Sequence, residues 1–280
     1  MPQPATVLVP VFNAAQELDA CLERLARYLP LGWQVQVVDD ASTDTSVSVV
    51  LQRYEQEQPA WLIRRREHNL GFVAGCNEAM EYIAPEHDVL LLNTDTLPTP
   101  QAFLNMAMVL EECPGAATVT PWSNNAEICS LPELCRAAPV PKDPDLLAYR
   151  LLKQRPHAPV IPTAVGFCML IRRAAIDALG QLFDADTFPR GYGEENDFCC
   201  RAVAAGWTNR LCDNAYVPHL GGASFGPLGL KPDADSMARL LSKHPGYERQ
   251  IAQFIQQDPL ASTRHSVEQL LGDLLHGSAH

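Results

Sequence analysis

Asp95 closes the run Leu90-Leu91-Leu92-Asn93-Thr94-Asp95-Thr96, and Leu97-Pro98 follows at once. Asp39-Asp40 closes Val35-Gln36-Val37-Val38, and Glu194-Glu195-Asn196-Asp197 opens directly out of Gly191-Tyr192-Gly193. His219 stands just ahead of Gly221-Gly222. A carboxylate at the end of a short apolar run suits a hard cation such as Mg2+ or Mn2+, with phosphate oxygens and water filling the remaining positions. A carboxylate presented to a cleft from a pliable glycine loop suits proton abstraction. Each residue also has an ordinary structural use. Asp95 fits a helix N-cap, Asp39 and Asp40 fit a turn, and His219 fits a strand end. Glu194, Glu195 and Asp197 are all favoured in a first helical turn by the macrodipole alone.

The elements that must position these residues follow from periodicity. Residues Thr6 to Val11 form a β-branched run that reads as a buried strand. Leu18, Cys21, Leu22, Leu25 and Leu29 recur at helical spacing, which predicts an amphipathic helix from Ala15 to Tyr28. Val35 to Val38 is a second strand, and Ser42-Thr43-Asp44 caps a helix running through Tyr54. Trp61 to Arg64, Asp88 to Leu92 and Ala116 to Thr120 are further strands, with a helix from Val73 to Ile83. This alternation predicts an α/β chain with a mostly parallel sheet, right-handed crossovers and helices on both faces. Asn13, Asp39, Asp40 and Asp95 then share the edge where open sheets bind ligands.

From Pro121 to Pro162 the pattern breaks into a Pro-, Asn- and Ala-rich stretch, read as a long excursion over the surface. Thr163 to Arg172 returns as a strand, and Gly166 inside it suggests close backbone approach by a ligand. A short helix from Ala174 to Leu179, a helix from Glu194 to Ala205 and strands at Trp207 to Leu211 and Ala215 to Val217 follow. Helices are expected over Ser236 to Ser242, Glu248 to Gln256 and Ser266 to Leu275. The resulting division is 1–120, 121–230 and a helical extension over 231–280.

Composition narrows the function. The chain has 280 residues, and 47% hydrophobic content is ample for a core. A net charge of −12 argues against a nucleic-acid partner, and Arg64-Arg65-Arg66 is too short a basic run to change that. Nine cysteines without a CxxC pair fit reduced thiols in a cytoplasmic protein rather than a disulfide framework or a structural zinc site. No apolar run reaches the roughly 18 residues of a membrane span. Peripheral contact with the inner face of the plasma membrane is left open.

Taken in order, several segments resemble the motifs of family 2 glycosyltransferases of the GT-A fold. They are Val7-Leu8-Val9-Pro10-Val11-Phe12-Asn13, Val37-Val38-Asp39-Asp40-Ala41-Ser42-Thr43-Asp44, Asn69-Leu70-Gly71-Phe72 and Leu92-Asn93-Thr94-Asp95-Thr96. Gly166-Phe167-Cys168-Met169-Leu170, Gly191-Tyr192-Gly193-Glu194-Glu195-Asn196-Asp197-Phe198 and His219-Leu220-Gly221-Gly222-Ala223-Ser224-Phe225-Gly226 continue the series. The resemblance implies that Pro10 and Phe12 line a nucleoside pocket, with Asp40 accepting a hydrogen bond from a pyrimidine N3–H. Asn13, Asp39, Asn69, Gly71, Asn93 and Thr94 belong to the same binding region. Asp95 matches the last position of the family's DxD signature, whose first position is Asn93 here, so one carboxylate remains for the metal. His219 is implied as a second ligand to the same Mg2+ or Mn2+. The family's second acidic residue at the helix start is the catalytic base; Glu195 stands there, with Asp197 as fallback and Glu194 on the face of Asp197.

The reaction implied is inverting transfer of a sugar from a nucleotide diphosphate to a saccharide or lipid-linked saccharide acceptor. The GYGEENDF and HLGGASFG wording resembles bacterial rhamnosyltransferases that build surface polysaccharide such as O-antigen, which makes UDP- or dTDP-sugars, dTDP-rhamnose included, the expected donors. A nucleotidyltransferase would need a glycine-rich, basic phosphate loop after the first strand, and Asn13-Ala14-Ala15-Gln16 is not one. A dehydrogenase would need GxGxxG, which is absent. A non-catalytic sugar-nucleotide-binding module, or one domain of a larger polysaccharide synthase, stays as the alternative.

Overall fold

The computed structural model describes residues 2–189, 191–221 and 234–275; Arg190 and the part of the His219 motif from 222 onward lie outside the described residues. The strands are β1 (Ala5–Val11), β2 (Gln34–Asp39), β3 (Leu62–Arg65), β4 (Asp88–Leu92), β5 (Ala116–Trp122), β6 (Val160–Ile161), β7 (Cys168–Ile171) and β8 (Thr208–Tyr216). They form one eight-stranded sheet in the order β3-β2-β1-β4-β7-β5-β8-β6. The helices are α1 (Ala15–Tyr28), α2 (Thr45–Glu57), α3 (Phe72–Ala79), α4 (Ala102–Glu112), α5 (Pro144–Leu151), α6 (Arg173–Leu179), α7 (Glu194–Ala204), α8 (Ala234–Lys243), α9 (Tyr247–Gln257) and α10 (Ala261–Leu271).

Successive side chains of a strand point to opposite faces, so a continuous apolar run must be covered twice. In β1, Val7, Val9 and Val11 join one core and Leu8 the other; in β4, Leu90 and Leu92 join the first and Val89 and Leu91 the second. The first core is closed by α1, α2, α4, α5 and α10, through residues such as Leu22, Leu51, Met106, Leu147 and Val267. The second is closed by α3, α6, α7 and α8, through Val73, Ile176, Phe198 and Leu240. The C-terminal helices are therefore built into the domain: α8 completes one core and α10 the other. Among the described residues no helix is long and apolar enough to cross a membrane.

Strand polarity decides what meets at the edge. β1, β2, β3 and β4 are mutually parallel, so their C-terminal ends share one edge. β7 runs antiparallel to both β4 and β5, with Leu92 opposite Cys168. Its start, at Gly166 and Phe167, consequently lies level with the ends of β4 and β5. β8 is parallel to β5, which brings His219 to the same edge. The whole is the expected mixed, GT-A-type sheet, with β6 antiparallel to β8.

Three expectations are corrected. The stretch after β5 is not wholly a surface excursion: Trp122, Ser123, Asn124, Ile128, Cys129 and Leu131 are buried, and α5 forms inside it. Apolar residues there fill the first core and carry the chain inward. The strand expected from Thr163 is formed only from Cys168, and residues 208–216 make one continuous strand rather than two.

Asn13 shows how the edge loops are tied. At φ 58° it sits in the left-handed region that asparagine tolerates better than most residues. Its side-chain oxygen accepts from the Thr43 and Asp44 amides at 2.9 and 3.0 Å and from the Thr43 hydroxyl at 3.3 Å, while its own amide donates to Ser42 Oγ at 2.8 Å. The β1–α1 and β2–α2 turns are thus one unit. Asn13→Ala removes these acceptors and adds left-handed strain, and should lower the unfolding free energy by about 2 kcal/mol. Urea denaturation of the two proteins measures that difference.

Candidate active site at the sheet edge

A cavity of about 390 Å³ opens beside the ends of β1 and β2, lined by Pro10, Phe12, Asp40, Asn69, Gly71, Asn93 and Thr94 among others. These seven were expected to bind together, and the fold brings them together. Asp40 builds the far wall. One of its oxygens accepts from the Leu70 amide at 2.9 Å and Arg66 Nη1 at 3.3 Å, and the other from the Gly71 amide at 2.8 Å. A carboxylate offers about four acceptor positions, so one is left for a ligand donor. Asn69 Oδ1 also accepts from the Gly71 amide, at 3.0 Å. Gly71 has φ 81°, and a Cβ there would lie 3.3 Å from the Pro189 carbonyl, so glycine is needed on both counts.

Asn13 and Asp39 stand outside the cavity lining, contrary to expectation. Asn13 is spent on the loop contacts above, and Asp39 Oδ1 accepts from the Ser42 amide at 3.0 Å to shape the turn into α2.

Asp95, one residue beyond Thr94, is buried at 4% exposure. Its Oδ1 faces His219 Nε2 at 3.3 Å, yet the alignment makes no hydrogen bond and that oxygen has no hydrogen-bond partner among the described residues. His219 Nδ1 lies 2.7 Å from the Asn125 carbonyl, an acceptor only, so Nδ1 carries a proton and donates it. That leaves Nε2 turned toward a carboxylate oxygen. Either a proton on Nε2 or a shared cation reconciles the two. Burial pulls the His219 pKa down, but Asp95 and the Asn125 carbonyl outweigh it and the net direction is up. A backbone carbonyl fixing the far nitrogen is also the usual support of a metal-binding imidazole. Among the described residues no third His, Cys, Asp or Glu completes a cluster, so a cation here would depend on ligand oxygens and water.

The frame around His219 is unusually complete. Its ring stacks on Phe167 at 5.1 Å between centroids. Asn124 accepts from the His219 amide at 2.9 Å and donates to the His219 carbonyl at 3.1 Å and to the Ala138 carbonyl at 2.9 Å. Residues Thr96 and His219 bridge, and the Leu220 amide donates to the Asp95 carbonyl at 2.8 Å.

The third part is the start of α7. Gly191, Tyr192 and Gly193 all take positive φ, at 84°, 62° and 112°, a tight turn that aims the helix N-terminus at the edge. Glu194 is buried with Oε2 unpartnered among the described residues. Burial, then the neighbouring Glu195 charge, pushes its carboxyl well above the ordinary range. Glu195 is half-buried, with its side chain 3.7 Å from where a Cβ on Gly166 would stand. Burial raises its carboxyl above 4.5, helped by the Glu127 charge and opposed by helix amides. Asp197 differs from both. It has no exposed surface, and Arg201, Lys243 and His244 contact its two oxygens at 2.7, 2.8 and 2.8 Å.

The sequence profile of Glycosyl transferase family 2 matches residues 6–180. The chain belongs to glycosyl transferase family 2. The matched stretch holds Asp95 and the cavity lining apart from Pro189, while α7 and His219 lie beyond it. An uncharacterised protein of Sinorhizobium fredii, y4gI, is 30% identical over 115 residues, which is 41% of this chain and 12% of that protein. The chain thus spans about an eighth of that relative's length. Among solved structures, GalNAc-T7 with UDP, GalNAc and Mn2+ superposes with a TM-score of 0.67 at 12% identity, covering 98% of this chain and 56% of that one. The mannosyltransferase PcManGT of Pyrobaculum calidifontis, in complex with GDP-Man and Mn2+, gives 0.56 at 16% identity over 99% and 76%. TarS of S. aureus, residues 1–349, gives 0.57 at 16% identity over 98% and 81%. At these identities the likeness is one of fold.

In this family 2 chain, sequence reasoning missed Arg66, Asn124 and Asn125. Arg66 was dismissed as part of a short basic run, yet its side chain is 8% exposed and lies against the cavity, between Asp40 and Glu78. Ser123-Asn124-Asn125 directly after a strand was the available signal for the histidine frame. Asn124→Ala should weaken Mn2+ binding about tenfold or more by freeing His219. Titration with Mn2+ followed by electron paramagnetic resonance measures it; unchanged affinity would show that the frame does not hold a ligand.

Proposed function

We propose that this chain is an inverting glycosyltransferase that takes a sugar from a UDP- or dTDP-sugar, dTDP-rhamnose among the candidates, to a saccharide acceptor in surface-polysaccharide synthesis. The observation that carries the reading is a buried Asp95 oxygen, without a hydrogen-bond partner among the described residues, facing a tautomer-fixed His219 beside a cavity of nucleotide size. Asp95 is not a helix cap, since the next helix, α4, begins at Ala102 with Gln101 at its cap position.

Pro10 and Phe12 offer the base an apolar wall, and the spare acceptor on Asp40 suits a pyrimidine N3–H. Asp95 and His219 would hold Mg2+ or Mn2+, which when bound neutralises charge developing on a leaving diphosphate. The donor set fits: a hard oxygen and an imidazole, with no third protein ligand among the described residues. Glu195 is the base. Its carboxylate takes the acceptor hydroxyl proton as that oxygen bonds to the anomeric carbon, the bond to the diphosphate breaks, and the carbon inverts. Burial and the Glu195 charge push the Glu194 carboxyl well above the ordinary range, which disfavours it as the base. Asp197 supports α7 rather than the chemistry, because Arg201, Lys243 and His244 already occupy its oxygens.

Glu195→Gln should lower kcat by about a thousandfold, in the range general-base removal causes, with donor affinity kept. Since the Glu195 carboxyl is raised above 4.5 and acts ionised, activity should rise with pH through a limb displaced upward from that value. Full activity in E195Q would overturn the assignment. A thermal-shift panel with Mn2+ tests the donor. UDP or dTDP at 100 times Kd should stabilise the fold by about 2.7 kcal/mol, GDP should not, and excess EDTA should abolish turnover. Tight nucleotide binding with no turnover toward any acceptor or water would favour a binding module.

A further inference from the structure

α8 lies beyond the stretch matched by the family, yet its C-terminal turn grips the helix that carries Glu195. Lys243 Nζ stands 2.8 Å from Asp197 Oδ1 on α7 and 2.6 Å from Asp184 Oδ2 on the loop ahead of it. That loop delivers Pro189 to the wall of the nucleotide cavity. His244 Nε2 meets the same Asp197 oxygen at 2.8 Å. Near the start of α8, Ser236 Oγ donates to the Gly191 carbonyl at 3.4 Å, and one turn on Leu240 packs 3.9 Å from where a Cβ on Gly193 would stand.

Two features separate this bridge from an ordinary surface ion pair, which contributes about 0–1 kcal/mol. Asp197 is fully buried, where an unpaired charge is costly, and each of its oxygens has a cation. The bridge also joins two different parts of the site. Burial pushes the Asp184 carboxyl up, but Lys243 and the Thr187 hydroxyl and amide outweigh it and bring it down to about 2. Burial acts likewise on Asp197, and Lys243, His244 and Arg201 outweigh it. Both carboxylates are therefore charged throughout the neutral range.

We propose that α8 is a strap across the active site, in which Lys243 is a positioning residue that sets the base-bearing helix α7 and the cavity-wall loop at a fixed separation. The proposal rests on Glu195 as the base. Two groups that react across a cleft must be held closely, and a displacement near 1 Å can cost about a hundredfold in rate. With the bridge in place, Glu195 and the donor pocket move as one body.

The test compares Lys243→Met, Lys243→Arg and Asp184→Asn with wild type, by steady-state kinetics well below the melting midpoint and by amide hydrogen exchange. K243M should lose about tenfold in kcat with donor KM changed less than about twofold, and exchange in residues 184–189 and 194–198 should quicken. K243R, which can still span both carboxylates, should restore both readouts. D184N cuts one arm while Asp197 keeps Arg201, Lys243 and His244, so it folds even if K243M does not; it should shift the same two readouts by less. Unchanged exchange in the two segments overturns the strap, as does a kcat loss without any change in exchange. A loss that arginine does not restore also overturns it, by giving the ammonium another role. Wild-type protein lacking turnover with every donor would overturn the transferase reading, while the exchange response would still uphold or refute the strap.

Discussion

Leu92 pairs with Cys168 in an antiparallel ladder, and this one reversal of strand direction governs what the edge contains. Had β7 run parallel to β4, Gly166 and Phe167 would sit at the opposite end of the sheet. His219 would then lose the ring it stacks on, and Glu195 the backbone its side chain lies beside. The reversal follows from connectivity. The chain leaves β5 at the site edge and, after crossing α5 and β6, returns to the site edge before β7 begins, so β7 must run away from it. α6 and the loop to Gly193 then carry the chain back, and α7 starts at the edge with its positive end forward.

The carboxylates of the edge fall into two physical classes. Asp39 and Asp197 are held by amides or cations and act as framework, as Asp40 does while keeping one acceptor position open. Asp95 and Glu194 keep an oxygen without a partner among the described residues, at a cost that native folds seldom carry without a use. Glu195 lies between the classes, half-buried and raised by that burial. Residue type alone does not sort these groups; what each oxygen touches does.

Periodicity made the first half of the fold legible. Regular spacing of valine and leucine marks β1, β2, β4 and α1, because each packs on a flat two-sided sheet. The motif residues of the cavity were legible too, since Asp40, Asn69 and Gly71 each stand in a short motif of their own, although Asp40 meets the Leu70 and Gly71 amides from another loop. Arg66, Asn124 and Lys243 were not. Each works on a partner distant in sequence, Asp40, His219 and Asp197 respectively, and no local pattern records such a pairing. The burial of residues 121–131 was hidden for a related reason. Its apolar residues follow no helical or strand period, as they fill gaps between elements rather than cover one. Asp197 looked like an alternative base for as long as its neighbours were unknown.

Gly75 carries a consequence for how this sequence can drift. A Cβ at that position would stand 2.7 Å from Arg66 Nη1. The guanidinium has little room to yield, since it donates to the Gly75 carbonyl at 2.9 Å and pairs with Asp40 and Glu78. Any larger residue at 75 would therefore lever Arg66 off Asp40 and loosen the turn that Asp40 pins. The constraint runs one way: arginine at 66 asks for glycine at 75, whereas glycine at 75 tolerates other residues at 66. In descendants of this chain, a larger residue at 75 should appear only where arginine at 66 has been lost.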